Sequence, residues 1–447
     1  MNREVTIIKT AAETALAQAF TQARARLPGD DAVTAQREAA FDVFAREGLP
    51  HRRVEDWKYT DLRVLMREAK PLASPPDAAA KTSAKTAGAM LRDIDARRLV
   101  FVDGVFVAEL SDLAILESGL TVRPLAQALA DNDPLLTAHL GKLAPAKDVA
   151  VALNTALMGD GAVIRIAAGS TIERPLHLVF VASAKTAATF VRSLVVVEER
   201  ARAMLIESHE GPAGSDYQVN AALELFVGDE AHVDHVKIIN EGAEALHVST
   251  LAAAIGARAR FNAFTYTAGG AVVRNQLFLN FDGEGTVAGI RGATLIKGHQ
   301  HADTTLVANH IARDCQSREV FKTVLDDEAH GVFQGRIIVR PHAQKTDAKM
   351  MTRALLLSDR AEADNKPELE IFADDVQCGH GATAGALDEE SKFYLMARGI
   401  PEAEAEALMI QAFLGEAIEG IEHAGLREAL MDSVAAWLLA RGQVLNA

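Results

Sequence analysis

From about Gly161 to Val376 the chain is a succession of short apolar runs separated by acidic or glycine-containing turns. Ala162–Ile166, Leu176–Val181, Leu194–Val197, Met204–Ile206, Ala221–Phe226 and Val233–Ile239 come first, and more follow to Leu369–Val376. Helical spacing nearly disappears over about 200 residues, so the segment predicts strands. A small-x-apolar-x pattern recurs after the turns, beginning at Ala201, Ala231, Ala259, Gly285 and Ala329, at intervals of 30, 28, 26 and 44. A drifting repeat of this length fits stacked rungs, in which each turn buries its neighbour and pairs its edges, and predicts a parallel β-helix.

The flanks read differently. Ala12, Leu16, Ala19, Phe20, Ala23 and Leu27 have helical spacing, and Asp31 can cap a second helix through Phe44. Pro71 to Gly88, rich in Ala, Ser, Thr, Pro and Lys, reads as an exposed linker. Asp103-Gly104 between Leu99–Val102 and Val105–Val107 predicts a hairpin with a tight turn. Helical patterns recur near Leu125–Ala130 and Val149–Leu157, and again from Glu402 to Leu445, where Leu408, Ile410, Phe413, Leu414, Ile418 and Ile421 mark an apolar face. The expected division is therefore an N-terminal helical region (1–70), a linker (71–98), a mixed α/β region (99–160), the β-helix core (161–377), and a Cys/His loop with C-terminal helices (378–447). The fold class is mainly β, with a central β-helix between N-terminal α/β and C-terminal α-helical parts.

Charge and cysteine content narrow the function. Lys and Arg number 46 against 61 Asp and Glu, a net charge of -15, which argues against nucleic acid or an anionic membrane as partner. Two cysteines far apart, Cys315 and Cys378, provide no disulfide framework. The first twenty residues lack a long apolar stretch, and no run approaches a bilayer-spanning length, so the expected compartment is the cytoplasm. No phosphate-binding G-x-x-x-x-G-K-[ST] is present, and neither Ala268-Gly269-Gly270 nor Asp282-Gly283-Glu284-Gly285 leads into a helix that would hold a dinucleotide.

The chemistry gathers in Lys366 to Ile400. Cys378 and His380 lie two apart in a glycine-rich segment, read as a turn, and could share one metal ion or one proton; the plain alternative is a buried free cysteine beside a loop histidine. Asp374 and Asp375 read as ordinary strand-end carboxylates. His299, His301, His310, His330 and His342, with Cys315 among them, read as polar ladders on successive rungs, although His299 and His301 could share one strand face. Two separated thiols cannot supply the four thiolates of a self-contained cluster, so any cluster here is shared, transient or absent.

The same stretch carries a resemblance. Ala373-Asp374-Asp375-Val376, Cys378, His380-Gly381-Ala382-Thr383, Leu387-Asp388-Glu389-Glu390, Phe393-Tyr394-Leu395 and Arg398-Gly399-Ile400 resemble the signature of the SufB/SufD family, scaffold proteins of the SUF iron–sulfur cluster assembly machinery, and its SufD members most. The segment Leu49–Leu62, with Trp57 and Tyr59, resembles an N-terminal motif of the same proteins; by itself it reads as a partly buried aromatic pair. The resemblance implies a right-handed parallel β-helix core and a non-enzymatic scaffold that holds no stable cofactor. It implies pairing of the β-helix with that of SufB, docking of the ATPase SufC on the C-terminal helices, and Cys378 and His380 as transient ligands of iron or cluster shared with SufB. ATP-driven closure of SufC would rearrange that interface. Gly379 stands where many relatives have serine. A homodimer of the isolated chain through the β-helix edge is also expected. Other readings stay open: a SufB-like cluster-carrying subunit, which usually has more cysteines; a β-helix enzyme acting on carbohydrate, for which 2 Trp and 4 Tyr are poor material; and a purely structural oligomer.

Overall fold

The computed structural model describes residues 9–183 and 185–444. The ends of the expected N-terminal region (1–8) and C-terminal helices (445–447), Leu445 among them, lie outside the described residues. Two sheets wind around one core. In spatial order the first holds β2 (Val105–Phe106), β1 (Arg97–Val102), β5 (Leu176–Val181), β7 (Arg202–Glu210), β9 (His232–Asn240), β11 (Arg260–Thr267), β13 (Val287–Ile296), β15 (Gln316–Leu325), β17 (Asp347–Leu356) and β19 (Gln377–Gly385). The second holds β3 (Leu120–Pro124), β4 (Ala162–Ile166), β6 (Ala188–Val197), β8 (Gln218–Val227), β10 (Leu246–Ile255), β12 (Val272–Phe281), β14 (His301–His310), β16 (His330–Val339) and β18 (Glu362–Ile371). From β4 on, consecutive strands alternate between the sheets and pair in parallel with the strand one turn away; among the described residues only β1–β2 and β3–β4 are antiparallel. The chain is thus a parallel β-helix, as expected.

One corner explains the repeat. Arg200, Glu230, Arg258, Gly285, Asp314 and Lys345 each have positive φ, and each stands two residues before a strand of the first sheet. A left-handed residue turns the chain sharply, and its recurrence on non-glycine residues shows that the stack enforces it. The next residue, which must be small, points into the core: Ala201, Ala231, Ala259, Thr286, Cys315 and Thr346 are all buried. Cys315 therefore fills an alanine-like position in this column, and its Sγ donates to the Gly283 carbonyl at 3.3 Å. The sequence intervals of 30 and 28 followed this column. Gly285 lies one residue before it, and Ala329 heads β16 in the other sheet, so the interval of 44 is a turn and a half.

Leu205, Val233, Phe261, Ile290, Leu277 and Leu306 belong to the core between the sheets. Both outer faces are covered. Helices Ala11–Ala23, Asp31–Glu47 and Val149–Leu157 and the Trp57 segment lie over the second sheet, with Trp57 and Leu62 in one apolar cluster with Leu246, Val248 and Val272. Helices Glu402–Ile418 and Ala424–Val444 press Ile410, Leu414, Ile418, Leu426 and Leu430 against Ile238, Phe264 and Leu295 of the first sheet. The hairpin turn forms at Asp103-Gly104, both with positive φ.

The stretch 71–98 differs from the exposed linker its composition suggests. Asp77 caps a helix, Ala78–Ser83, and Ala80, Ala84 and Ala87 are buried against Val100, Val102 and Val179. Spacing of alanine methyls by four and three residues makes a narrow apolar stripe that a low-complexity reading overlooks. No helix among the described residues is long and apolar enough to cross a membrane.

Candidate functional site

β18 and β19 are the last strands of the solenoid, and each has a neighbour on one side only. Cys378 and His380 lie on β19, not in a turn: Cys378 is in register with Ala348, and His380 with Met350. Glycines in the sequence suggested a loop, but parallel pairing to β17 holds Gln377–Gly385 extended while small residues suffice because no further rung packs above. Two residues apart on a strand, Cys378 and His380 share a face. It is the inward face, since Ala348 and Met350 beneath them belong to the core. The pair therefore stands at the rim of the open end, Cys378 half-buried and His380 exposed.

Burial raises the Cys378 thiol above the ordinary cysteine value, and the carboxylates of Asp347 and Glu319 push the same way. At neutral pH the group is a thiol. It becomes a nucleophile or ligand only when a cation or a partner's positive charge displaces the proton. Asp375 pairs with Lys345, and Asp374 is exposed beside it in the turn before β19.

Glu319 lies two rungs below His380 in the same column, Ile290–Glu319–Met350–His380. It is fully buried, and neither carboxylate oxygen has a partner at hydrogen-bond geometry; the nearby Ser317 hydroxyl meets His310 Nε2 at 3.1 Å. Burial pushes its carboxyl up to about 7. The sequence showed no sign of this residue; only the register, at steps of 29, 31 and 30 from Ile290 to His380, brings it under the site. Because the native state holds this proton up to a higher pH than the unfolded chain, stability from this group falls between about 4.5 and 7, by about 3 kcal/mol. Glu319→Met, matching its neighbours, should remove that loss. Urea unfolding of parent and variant at a series of pH values should show their difference growing by about 3 kcal/mol across this window and then levelling; a constant difference would mean that Glu319 ionises in the folded chain at the same pH as in the unfolded one.

Two family descriptions cover nearly the whole chain: "SufBD protein N-terminal region" matches residues 10–178, and "SUF system FeS cluster assembly, SufBD core domain" matches residues 180–413. The chain belongs to the SufB/SufD family. It is 33% identical over 420 residues to an iron-sulfur cluster assembly SufBD family protein of Synechocystis, covering 91% of each chain. It is 31% identical over 402 residues to the iron-sulfur cluster assembly protein SufD of Escherichia coli, covering 89% of this chain and 91% of that one. Its identity to SufD of Bacillus subtilis is 27% over 285 residues, 63% of this chain and 65% of the other.

In this SufB/SufD chain the remaining histidines are scattered. His299 is in the turn before β14, exposed and paired with Glu328 at 3.2 Å, so it shares no strand face with His301. His301 and His330 do form a ladder, Nδ1 to Nδ1 at 3.2 Å, continued by His330 Nε2 to Asp364 at 2.8 Å and by His301 Nε2 to the Thr60 hydroxyl at 2.9 Å. His310 stacks on Phe281 inside the core at 4.1 Å, and His342 is exposed in a turn. Two sets of metal-capable donors absent from the sequence reading do converge: His209, Glu241 and His247 inside the solenoid, and His232, Asp234 and Glu422 where β9 meets the C-terminal helices. Their members lie up to 190 residues apart in sequence, from His232 to Glu422, so nothing local signals either set.

Proposed function

We propose that this chain is a SufD-type scaffold, without catalytic activity of its own, that completes an iron–sulfur assembly site at the open end of its solenoid. The observation that carries this is the last rung. β18 and β19 present unpaired strand edges, Cys378 and His380 stand at that rim, and Ile371 and Phe372 are exposed beside them. An exposed edge of this kind favours pairing with a like strand. A second β-helix, that of SufB, is the natural occupant, and the isolated chain can satisfy the same edge with a second copy of itself. Iron or a nascent cluster is then the cargo. His380 provides an imidazole, Cys378 a thiolate once a cation has displaced its proton, and SufB the remaining ligands.

The C-terminal side fits a second partner. Helix Glu389–Met396 leaves Phe393 and Tyr394 exposed, and Leu408 is exposed on the following helix. Exposed aromatic residues beside acidic ones suit a protein surface, and SufC is proposed to dock there. Cluster building in this reading takes place in the cytoplasm.

The test is co-expression of the tagged chain with SufB and SufC, comparing parent, His380→Ala and Cys378→Ser, with anaerobic counting of iron and sulfide. Intact complexes with most of the iron and sulfide lost in His380→Ala are expected. Normal loading would make His380 an ordinary surface residue, and failure of the parent chain to bring down either partner would overturn the scaffold role.

A further inference from the structure

The lumen of a β-helix is normally filled with aliphatic side chains, as it is here around Phe261 and Leu277. One corner departs from this. His209 near the end of β7, Glu241 just after β9 and His247 near the start of β10 meet inside it, with one donor atom of each within 4.8 Å of the others. His209 and His247 are at most 1% exposed, and the Glu241 carboxyl is equally buried.

Hydrogen bonding in this corner is incomplete. Glu241 Oε2 accepts from the Tyr217 hydroxyl at 2.6 Å, and Oε1 meets His247 Nδ1 at 2.8 Å. With the His247 proton on Nδ1, its Nε2 presents a lone pair, and that atom has no partner. His209 has no hydrogen-bond partner on either ring nitrogen; its ring stacks on Phe180 at 4.7 Å and meets His247 edge-on at 4.8 Å. His209 Nε2 lies 3.8 Å from Glu207, beyond hydrogen-bond distance; a neutral His209 still presents one buried lone pair, costly unless something accepts it. Charge is also unbalanced. The nearby Glu207 is matched by Lys237 at 3.3 Å, whereas Glu241 faces only imidazoles and a phenol. A positive charge is the missing element, and imidazole nitrogen with carboxylate oxygen is the donor set of a borderline divalent ion.

We propose that His209, Glu241 and His247 bind a divalent first-row transition ion, Fe2+ or Zn2+, inside the solenoid, separate from the open-end site. Tyr217 acts behind the ligands: its hydroxyl holds the carboxylate while accepting from Gly242 N at 2.8 Å. His247 would ligate through Nδ1, the ring atom that faces Glu241 Oε1, with its proton carried on Nε2 once the ion is bound. The ion would tie the end of β7 to the turn after β9 and the start of β10 and so lock the register of two rungs. This inference does not depend on the SufB or SufC contacts.

The full-length chain, purified from defined medium containing both iron and zinc, should retain about one equivalent of metal after dialysis against a weak chelator. Elemental analysis decides which ion is present. Stripped protein should take up Co2+ with an absorption spectrum of low-coordinate geometry, and X-ray absorption should show imidazole nitrogen in the shell. Glu241→Gln and His209→Gln keep the shape of the corner and should weaken Co2+ binding at least ~10-fold. Cys378→Ser with His380→Ala, and His232→Gln separately, should leave binding unchanged. Absence of bound metal and of Co2+ uptake in the unsubstituted chain would overturn the proposal, whatever the variants do. So would Co2+ binding that survives Glu241→Gln but is lost with His232→Gln or the open-end pair.

Discussion

Lowering the pH from 7 to 4.5 is expected to remove about 5 kcal/mol of folding stability, a large part of the 5–15 kcal/mol typical of a folded protein. The cause is a set of histidines buried in the neutral state. Burial depresses His177 to about 3, helped by Arg98, and depresses His301 and His310 to about 4. In the unfolded chain each takes up a proton near 6.5. Below that value the unfolded state binds more protons, so stability is present above 6.5 and is lost as pH falls toward the folded values. At pH 4.5 the three together cost about 8 kcal/mol. Glu319 works in the opposite direction and returns about 3 kcal/mol over its own window, too little to reverse the sign. Below 4.5 the buried Glu224, held down by Arg192 and by backbone N–H groups of Leu143 and Gly141, adds to the loss as it protonates. Urea unfolding midpoints should fall steadily from pH 6.5 to 4.5, and His310→Leu should flatten the slope by about half. Stability that is level or rising in this range would mean that the imidazoles are already charged in the folded protein.

These residues also mark where the sequence stops being readable. The strands, their alternation and the C-terminal helices follow from local periodicity, and so does the hairpin at Asp103-Gly104. The resemblance around Cys378 and His380 identified the family. What the sequence hid is register. Paired positions recur at separations from 26 residues, between Leu246 and Val272, to 32, between His330 and Glu362, because turns at the corners differ in length. No fixed period brings Glu319 under His380, or His209 beside His247. The two-residue spacing of Cys378 and His380 was visible, but whether they stood on a loop or a strand depended on β17, about 30 residues earlier. Trp57 shows the same limit over a longer distance: its indole N–H donates to Asp148 at 3.0 Å and its ring lies under the Arg274 guanidinium at 4.2 Å.

That last contact leads to the other large effect. Arg274 on β12 and Asp303 on β14 form an ion pair with no exposed surface on either side chain. The Thr60 hydroxyl donates to the same Asp303 oxygen, Arg274 Nη2 donates to the Asp56 carbonyl at 2.6 Å, and Trp57 covers the guanidinium. The second sheet and the N-terminal layer are therefore joined through one buried charge pair. Asp303→Ala should cost about 3–5 kcal/mol, because it leaves a guanidinium in the interior with no counter-charge. Thr60→Val removes the hydrogen bonds to Asp303 and to His301 Nε2 but keeps the pair, and should cost only about 1–3 kcal/mol. Replacing both charges, Asp303→Leu with Arg274→Met, should recover much of the loss, since it is the orphaned charge that is expensive. Urea unfolding gives the energies, and limited proteolysis reports the local consequence: if Asp303 anchors the Trp57 segment, Asp303→Ala should be cut within residues 48–61 well before the parent chain. A loss below about 1 kcal/mol in Asp303→Ala, or a double variant no more stable than the single one, would show that the N-terminal layer is held by apolar burial of Trp57 and Leu62 and not by this charge pair.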